Sequence, residues 1–126
     1  MNLVIIEDNE LVLYQLLRLV SKQPAICVTG MATDEDGAVS VIRVAQPDAV
    51  LLDLSLASGS GINVLKRIRV AGSKARVLVL TNHTAEAVRL SCESHGIDGF
   101  YDKSREAQIC LDRLFSWLPR SLGEVR

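Results

Sequence analysis

Three carboxylates, a hydroxyl and an ammonium stand at or just past the ends of apolar runs in this 126-residue chain. Ala49-Val50-Leu51-Leu52 runs into Asp53, Leu3-Val4-Ile5-Ile6 into Glu7-Asp8, Val77-Leu78-Val79-Leu80 into Thr81, and Phe100-Tyr101 comes just before Lys103. A carboxylate closing a buried strand is a helix cap, a metal ligand or a nucleophile. Gathered on one rim, Glu7, Asp8 and Asp53 would carry about three negative charges, and like charges at that range disfavour one another's ionisation. A divalent cation and Lys103 would bring that sum to about zero. Hard oxygen donors select Mg²⁺, Mn²⁺ or Ca²⁺ over softer metals. Mg²⁺ suits the set best, because one or two carboxylates, a phosphate and retained waters satisfy it, whereas an all-protein Ca²⁺ cage wants about six or more oxygens. The same residues suit phosphoryl transfer, which is catalysed by positioning and charge neutralisation. Asp53 could act as nucleophile and become an aspartyl phosphate. Lys103 could bind a phosphoryl oxygen as a mobile point charge, and the Thr81 hydroxyl could donate to another.

The elements that must position these groups alternate between short apolar runs and amphipathic segments. Strands are expected at 2–7, 26–30, 49–53, 76–81 and 98–101, the second of them short. Helices are expected at 10–22, from an Asp34 cap to Val44, at 62–70, at 85–95 and at 106–117. Asn9 suits the first N-cap, and Pro24, Gly72, Gly96 and Pro119 suit helix stops. The inward faces carry Leu13, Leu16, Leu17 and Val20; Ala38, Val41, Ile42 and Ala45; Leu65 and Ile68; Val88 and Cys92; and Leu111, Leu114 and Leu118. Ser55 to Gly61, rich in Ser and Gly, is a loop. This alternation implies an α/β fold, a doubly wound three-layer sandwich on a parallel five-stranded sheet. In such sheets ligands bind outside the carboxyl ends of the strands, where Glu7, Asp8, Asp53, Thr81 and Lys103 all fall.

Composition narrows the rest. Length implies one domain, taken as 1–119, followed by a polar tail at 120–126. With 48% hydrophobic and 23% charged residues and a net charge of -1, nothing global points to nucleic acid or an anionic membrane. No apolar run approaches the roughly 20 residues of a membrane span, and Met1-Asn2-Leu3 does not read as a signal peptide. Cys27, Cys92 and Cys110 form no zinc or CxxC pattern, so a cytoplasmic chain with reduced, mostly buried thiols is expected. Tyr14 and Leu90 read as exposed apolar spots, Phe115 as core and Trp117 as partly exposed.

The set Glu7-Asp8, Asp53, Thr81 and Phe100-Tyr101-Asp102-Lys103, with Gly61 eight residues beyond Asp53, resembles a two-component response-regulator receiver domain of the CheY-like kind. The resemblance covers essentially the whole chain. It implies a flavodoxin-like fold with strand order 2-1-3-4-5 (an order for which a member of this family is a standard example). It implies that a sensor histidine kinase or a histidine phosphotransfer domain phosphorylates Asp53 in a Mg²⁺- or Mn²⁺-dependent reaction. Asp8 resembles the direct metal ligand, Glu7 one acting through water, and the Ser55 backbone carbonyl the remaining protein ligand. Thr81 would move towards the phosphate, and Phe100, with Tyr101 beside it, would rearrange behind it. A downstream protein would read the surface of helix four, strand five and helix five, and a phosphorylation-dependent dimer is the other partner the resemblance allows. Ser55, Asn82 and His83 stand at positions that tune dephosphorylation.

Three departures stand out. Ala57 and Ser104 replace prolines usual in the family, and Asn82 replaces a small residue beside Thr81. An aspartyl phosphatase would carry a second acid where Ser55 stands. A flavodoxin would not place Glu7-Asp8-Asn9-Glu10 in a phosphate loop. A binding-only receiver-like module would have lost part of the acidic, acceptor or lysine set. Thr81-Asn82-His83 and Tyr101-Asp102-Lys103-Ser104 resemble stand-alone receivers more than DNA-binding ones. The expectation is therefore a signalling phosphoacceptor rather than an enzyme, without direct nucleic-acid or membrane binding. An excised receiver of a longer transcriptional regulator is the alternative.

Overall fold

An apolar run with no polar position can be buried only if both faces of its strand are covered. In the computed structural model, which describes residues 1–119, that condition organises the molecule. The elements are β1 (Asn2–Ile6), α1 (Glu10–Val20), β2 (Cys27–Ala32), α2 (Glu35–Ala45), β3 (Ala49–Leu52), α3 (Gly61–Val70), β4 (Arg76–Thr81), α4 (Glu86–Glu93), β5 (Gly99–Asp102) and α5 (Ala107–Phe115). All strands are parallel, in the order β2-β1-β3-β4-β5, as the resemblance implied. The tail expected over 120–126 lies outside the described residues.

Alternate residues of each central strand point to opposite faces, so one sheet feeds two apolar layers. Val4, Ile6, Val50, Leu52, Val77 and Val79 meet Ala38 and Ile42 of α2, Val64, Leu65 and Ile68 of α3, and Cys92 of α4. Leu3, Ile5, Leu51, Leu78 and Leu80 meet Leu16 and Val20 of α1 and Cys110, Leu111 and Leu114 of α5. Helices α1 and α5 therefore cover one face, and α2, α3 and α4 the other.

Element existence agrees with the sequence reading, and several ends are corrected. β2 is not short: it runs to Ala32 because Ile5 and Ile6 of β1 pair with Met31 and Ala32. As an edge strand it is half-exposed in alternation, so its apolar run is broken. β1 stops at Ile6 and β3 at Leu52, leaving Glu7 and Asp53 just beyond. β5 is displaced by one residue, to Gly99–Asp102, by pairing with Leu78 to Thr81. α1, α4 and α5 are shorter than expected, and α3 begins one residue earlier, at Gly61 after a Ser60 cap. Leu118 and Phe115 are half-buried rather than fully inside, as is Trp117, whose ring takes the Arg76 and Arg113 guanidinium groups at 4.8 and 5.5 Å. Cys92 and Cys110 are buried, and burial pushes the Cys110 thiol up to about 12. Cys27, on the edge strand, is exposed.

Arg69, at the last turn of α3, ties two connections together, the one from α3 to β4 and the one from α4 to β5. Its Nε donates to the His95 carbonyl (3.1 Å), its Nη1 to Ser73 and Ala75 (3.0 and 2.9 Å), and its Nη2 to Gly96 (2.6 Å). Burial holds the guanidinium below its ordinary value, yet these bonds keep it there. Charged hydrogen bonds contribute about 1.5–3 kcal/mol each in favourable cases. Replacing Arg69 by Met should leave these carbonyls dependent on water and lower unfolding free energy by about 2–4 kcal/mol in urea denaturation.

Candidate functional site

Parallel strands deliver their C-terminal ends to one edge, and one further ladder bond carries each functional residue past its strand. Glu7 N–H donates to the Ala32 carbonyl (3.1 Å), Asp53 N–H to the Ile6 carbonyl (3.0 Å) and Lys103 N–H to the Thr81 carbonyl (2.9 Å). The groups are thus fixed at the backbone before any side-chain contact is made. Thr81 is itself the last residue of β4.

The Lys103 Nζ lies 2.7 Å from Asp53 Oδ2 and 2.7 Å from Glu7 Oε1. Asp53 and Glu7 are almost fully buried, at 3% and 1% exposure, and Thr81 is completely so. The second oxygens are also held: Asn9 N–H donates to Glu7 Oε2 (3.0 Å), and Ser55 N–H to Asp53 Oδ1 (3.2 Å). Asn9 also caps α1 through Val12 N–H, so one residue starts the helix and helps fix Glu7. Burial pushes the Glu7 carboxyl above its ordinary value, partly offset by the bonds from Lys103 and Asn9. Burial alone would push the Lys103 ammonium down, but its bonds to Asp53 and Glu7 outweigh that and hold it up. Glu7, Asp8 and Asp53 each offer a carboxylate oxygen, and these oxygens lie within 4.8 Å of one another. A single ammonium cannot neutralise three such carboxylates. The arrangement fits a hard divalent cation on charge and donor type.

The neighbouring loops explain how the rest is set. Thr81 Oγ1 accepts from His83 N–H (3.1 Å), which leaves its own O–H as a donor. Lys103 rides on a clasped turn: Asp102 Oδ1 accepts from Ser104 and Arg105 N–H (2.8 and 3.2 Å), and Glu106 Oε1 from Asp102 N–H (2.9 Å). A Cβ at Gly61 would collide with the Asp53 carbonyl and Leu54 Cα, so only glycine lets α3 start this close to Asp53. Asn82 and Ser104, both exposed, meet across the rim at 3.0 Å. The Lys103–Ser104 bond, like every peptide bond among the described residues, is trans. His83 and Ser55 are exposed. Phe100 and Tyr101, adjacent on β5, divide between the two layers: Phe100 packs with the α2-α3-α4 side and Tyr101 with the α1-α5 side. Burial pushes the Tyr101 phenol up. Sequence reasoning gave Asp102 and Glu106 no part in holding Lys103, although an Asp just before the lysine with a Glu four residues on is a legible turn signal.

The chain matches the response regulator receiver domain family over residues 3–114. It is 26% identical over 114 residues to the nitrate/nitrite response regulator protein NarL of Escherichia coli, covering 89% of this chain and 52% of that protein. It is 32% identical over 93 residues to a protein-glutamate methylesterase/protein-glutamine glutaminase of Anaeromyxobacter dehalogenans, covering 74% of this chain and 27% of that protein. The chain thus spans about half the length, or less, of these curated relatives. In fold it is similar to the signal receiver domain of NarL from Mycobacterium tuberculosis, with a TM-score of 0.83 at 24% identity over 91% of this chain and 93% of that one.

Removing Lys103 would strand two buried carboxylates, and breaking a buried ion pair from one side costs about 3–5 kcal/mol. With its value raised, native Glu7 holds a proton that the unfolded chain releases, so its contribution favours folding at low pH. That contribution is lost as pH rises from the ordinary 4.5 through the native value. Without Lys103 the native value rises further. In chelator, Lys103→Met should therefore show a larger Tm deficit at pH 7.5 than at pH 5.5. Equal deficits would mean that the carboxylates are not coupled through this lysine.

Proposed function

The chain belongs to the response-regulator receiver family, and we propose that it acts as a phosphorylation switch whose acceptor is Asp53. The observation that carries this reading is the buried Asp53 carboxylate held by Lys103 Nζ at 2.7 Å with Glu7 and Asp8 alongside. Its anion-rich rim suits Mg²⁺ or Mn²⁺, which Asp8, Asp53 and the Ser55 carbonyl would hold, with Glu7 contributing through water. Such an ion supplies charge neutralisation at the phosphoryl oxygens. An Asp53 carboxylate oxygen forms the new P–O bond as the P–N bond of a phosphohistidine donor breaks. Lys103 turns from Glu7 towards an oxygen of the transferred group, and Thr81 donates its O–H to another. The donor is a sensor histidine kinase or a histidine phosphotransfer domain. The chain promotes its own phosphorylation and dephosphorylation and turns over no external substrate.

The switch is read at α4, β5 and α5, where Leu90 and Ile109 stand 55% and 54% exposed. Movement of Thr81 rearranges Phe100, with Tyr101 adjusting beside it, and presents that face to a downstream protein or a second copy of the chain. Direct contact with nucleic acid is not part of this role. No helix among the described residues is long and apolar enough to cross a membrane, and we place the switch in the cytoplasm. Residues 1–119 form the receiver and 120–126 its polar tail. A stand-alone regulator and a receiver module serving a longer regulator are the two readings that a half-length match to the curated relatives leaves.

Incubation with a small phosphodonor and Mg²⁺ should add one phosphoryl group to the intact mass. The gain should vanish in EDTA and in Asp53→Asn; a gain that persists in Asp53→Asn would remove Asp53 from the role. The Asn82–Ser104 bond, 3.0 Å long at the exposed rim, ties the residue after Thr81 to the residue after Lys103. Its loss in Asn82→Ala should change aspartyl-phosphate hydrolysis by about tenfold, the factor for one hydrogen bond's ~1.4 kcal/mol, as followed by loss of the phosphorylated mass.

A further inference from the structure

The connection from Asp53 to Gly61 contains three serines and Gly59 but no proline, so its own sequence does little to rigidify it. It is nevertheless pinned from outside. Ala57 N–H donates to the Thr33 carbonyl (3.0 Å), Glu35 N–H to the Ser58 carbonyl (2.9 Å), and Ser60 N–H to the Glu35 carboxylate (3.0 Å). All three bonds meet the same short stretch at the start of α2, and only the one to the Glu35 carboxylate uses a side chain. That carboxylate's other oxygen accepts from Arg67 of α3 at 3.0 Å, and Arg67 also holds Asp36 at 2.8 Å. Gly59, with φ of +79°, lies directly against the Glu35 side chain, where a Cβ would collide with it. The residue that Glu35 grips, Ser60, stands opposite Ser55 in an isolated antiparallel bridge, whose backbone bond runs from Gly61 N–H to the Leu54 carbonyl (2.9 Å).

We propose that Glu35 is a positioning residue for the metal site, fixing the Ser55 carbonyl through the Ser60–Ser55 bridge. The inference rests on the function proposed above, in which that carbonyl is a metal ligand. The bland account of Glu35 is an acid at a helix N-terminus, stabilising α2 through its charge alone. The two accounts separate by side-chain length. Aspartate keeps the charge at the same helix position but falls short of Ser60 N–H. Glutamine loses the charge but keeps an acceptor oxygen at the same reach, while Asp36 still retains Arg67.

The test is titration of the full chain and its variants with MgCl₂ by calorimetry, beside amide hydrogen exchange of the 56–60 segment in EDTA. Outer-shell partners of metal ligands typically change affinity by about 10–100-fold. Glu35→Ala and Glu35→Asp should weaken Mg²⁺ binding by about tenfold and expose the Ser60 amide, while Glu35→Gln stays within about threefold of the parent. Parental affinity in Glu35→Ala, or parental affinity in Glu35→Asp with loss in Glu35→Gln, would overturn the proposal. Should the parent chain itself bind no Mg²⁺, the metal reading fails and the positioning role for that metal with it. The exchange measurement then still decides the clasp: unchanged Ser60 protection in Glu35→Ala would show that Glu35 does not hold the loop either.

Discussion

One ammonium between two buried carboxylates sets the terms for the rest of this molecule. Lys103 follows β5, as Asp53 and Glu7 follow β3 and β1, so its side chain must reach across the end of β4. Strands lie about 4.8 Å apart, and the span from β5 to β3 is therefore roughly 10 Å at the backbone. A flexible four-carbon stem with a compact, rotatable head suits that span and can serve two acceptors at once. A planar guanidinium would impose a fixed fork. The sheet order thus sets the reach the lysine needs, because β5 stands two strands from β3 and three from β1.

The pairing is also incomplete by charge. Lys103 answers Glu7 and Asp53, and Asp8 is left on the solvent side of the same cluster. Burial, with the Asp53 charge adding to it, displaces Glu7 upward against the bonds from Lys103 and Asn9. Two apolar layers, made from alternate residues of the same strands, hold this unfavourable corner in place. Conflict between local electrostatics and global packing is expected where a protein does its chemistry. On the proposed reading, a cation relieves the conflict before phosphorylation and the lysine turns to the new phosphate afterwards.

The central strands and the acceptor rim were legible because they obey short-range rules. Leu3–Ile6, Ala49–Leu52 and Val77–Leu80 are continuous apolar runs, and each ends at a residue whose type implies chemistry. β2 resisted because an edge strand is half-exposed, and its pairing with β1, not its own pattern, decides where it stops. Arg69 and Glu35 were invisible as tie points for a different reason. Each binds backbone groups far along the chain, His95 and Gly96 for one and Ser60 for the other. Backbone acceptors and donors carry no residue identity, so no spacing in the sequence marks them. Phe100 and Tyr101 were legible as a pair but not as opposites. Strand alternation, applied once their packing layers are known, puts them on different sides of the sheet.

The distribution of helix caps bears on where a switch could move. Asn9, Asp34 and Ser60 each cap their helices with a side-chain acceptor to a backbone N–H. α4 and α5 start at Ala85 and Glu106 with no such bond, and α4 has only eight residues. A missing side-chain cap weakens a helix start by about 1 kcal/mol, and elements with less local support are the ones that open at least cost. The capped helices border the loops around Asp8 and Asp53, where the proposed function needs fixed geometry. The uncapped ones flank β5, and Arg89 of α4 lies over the Phe100 ring at 5.3 Å. A displacement of Thr81 would thus meet rigid structure on the β1 and β3 side and yielding structure on the β5 side. That asymmetry sends any rearrangement outward through α4, which gives the proposed output face a mechanical reason to lie there.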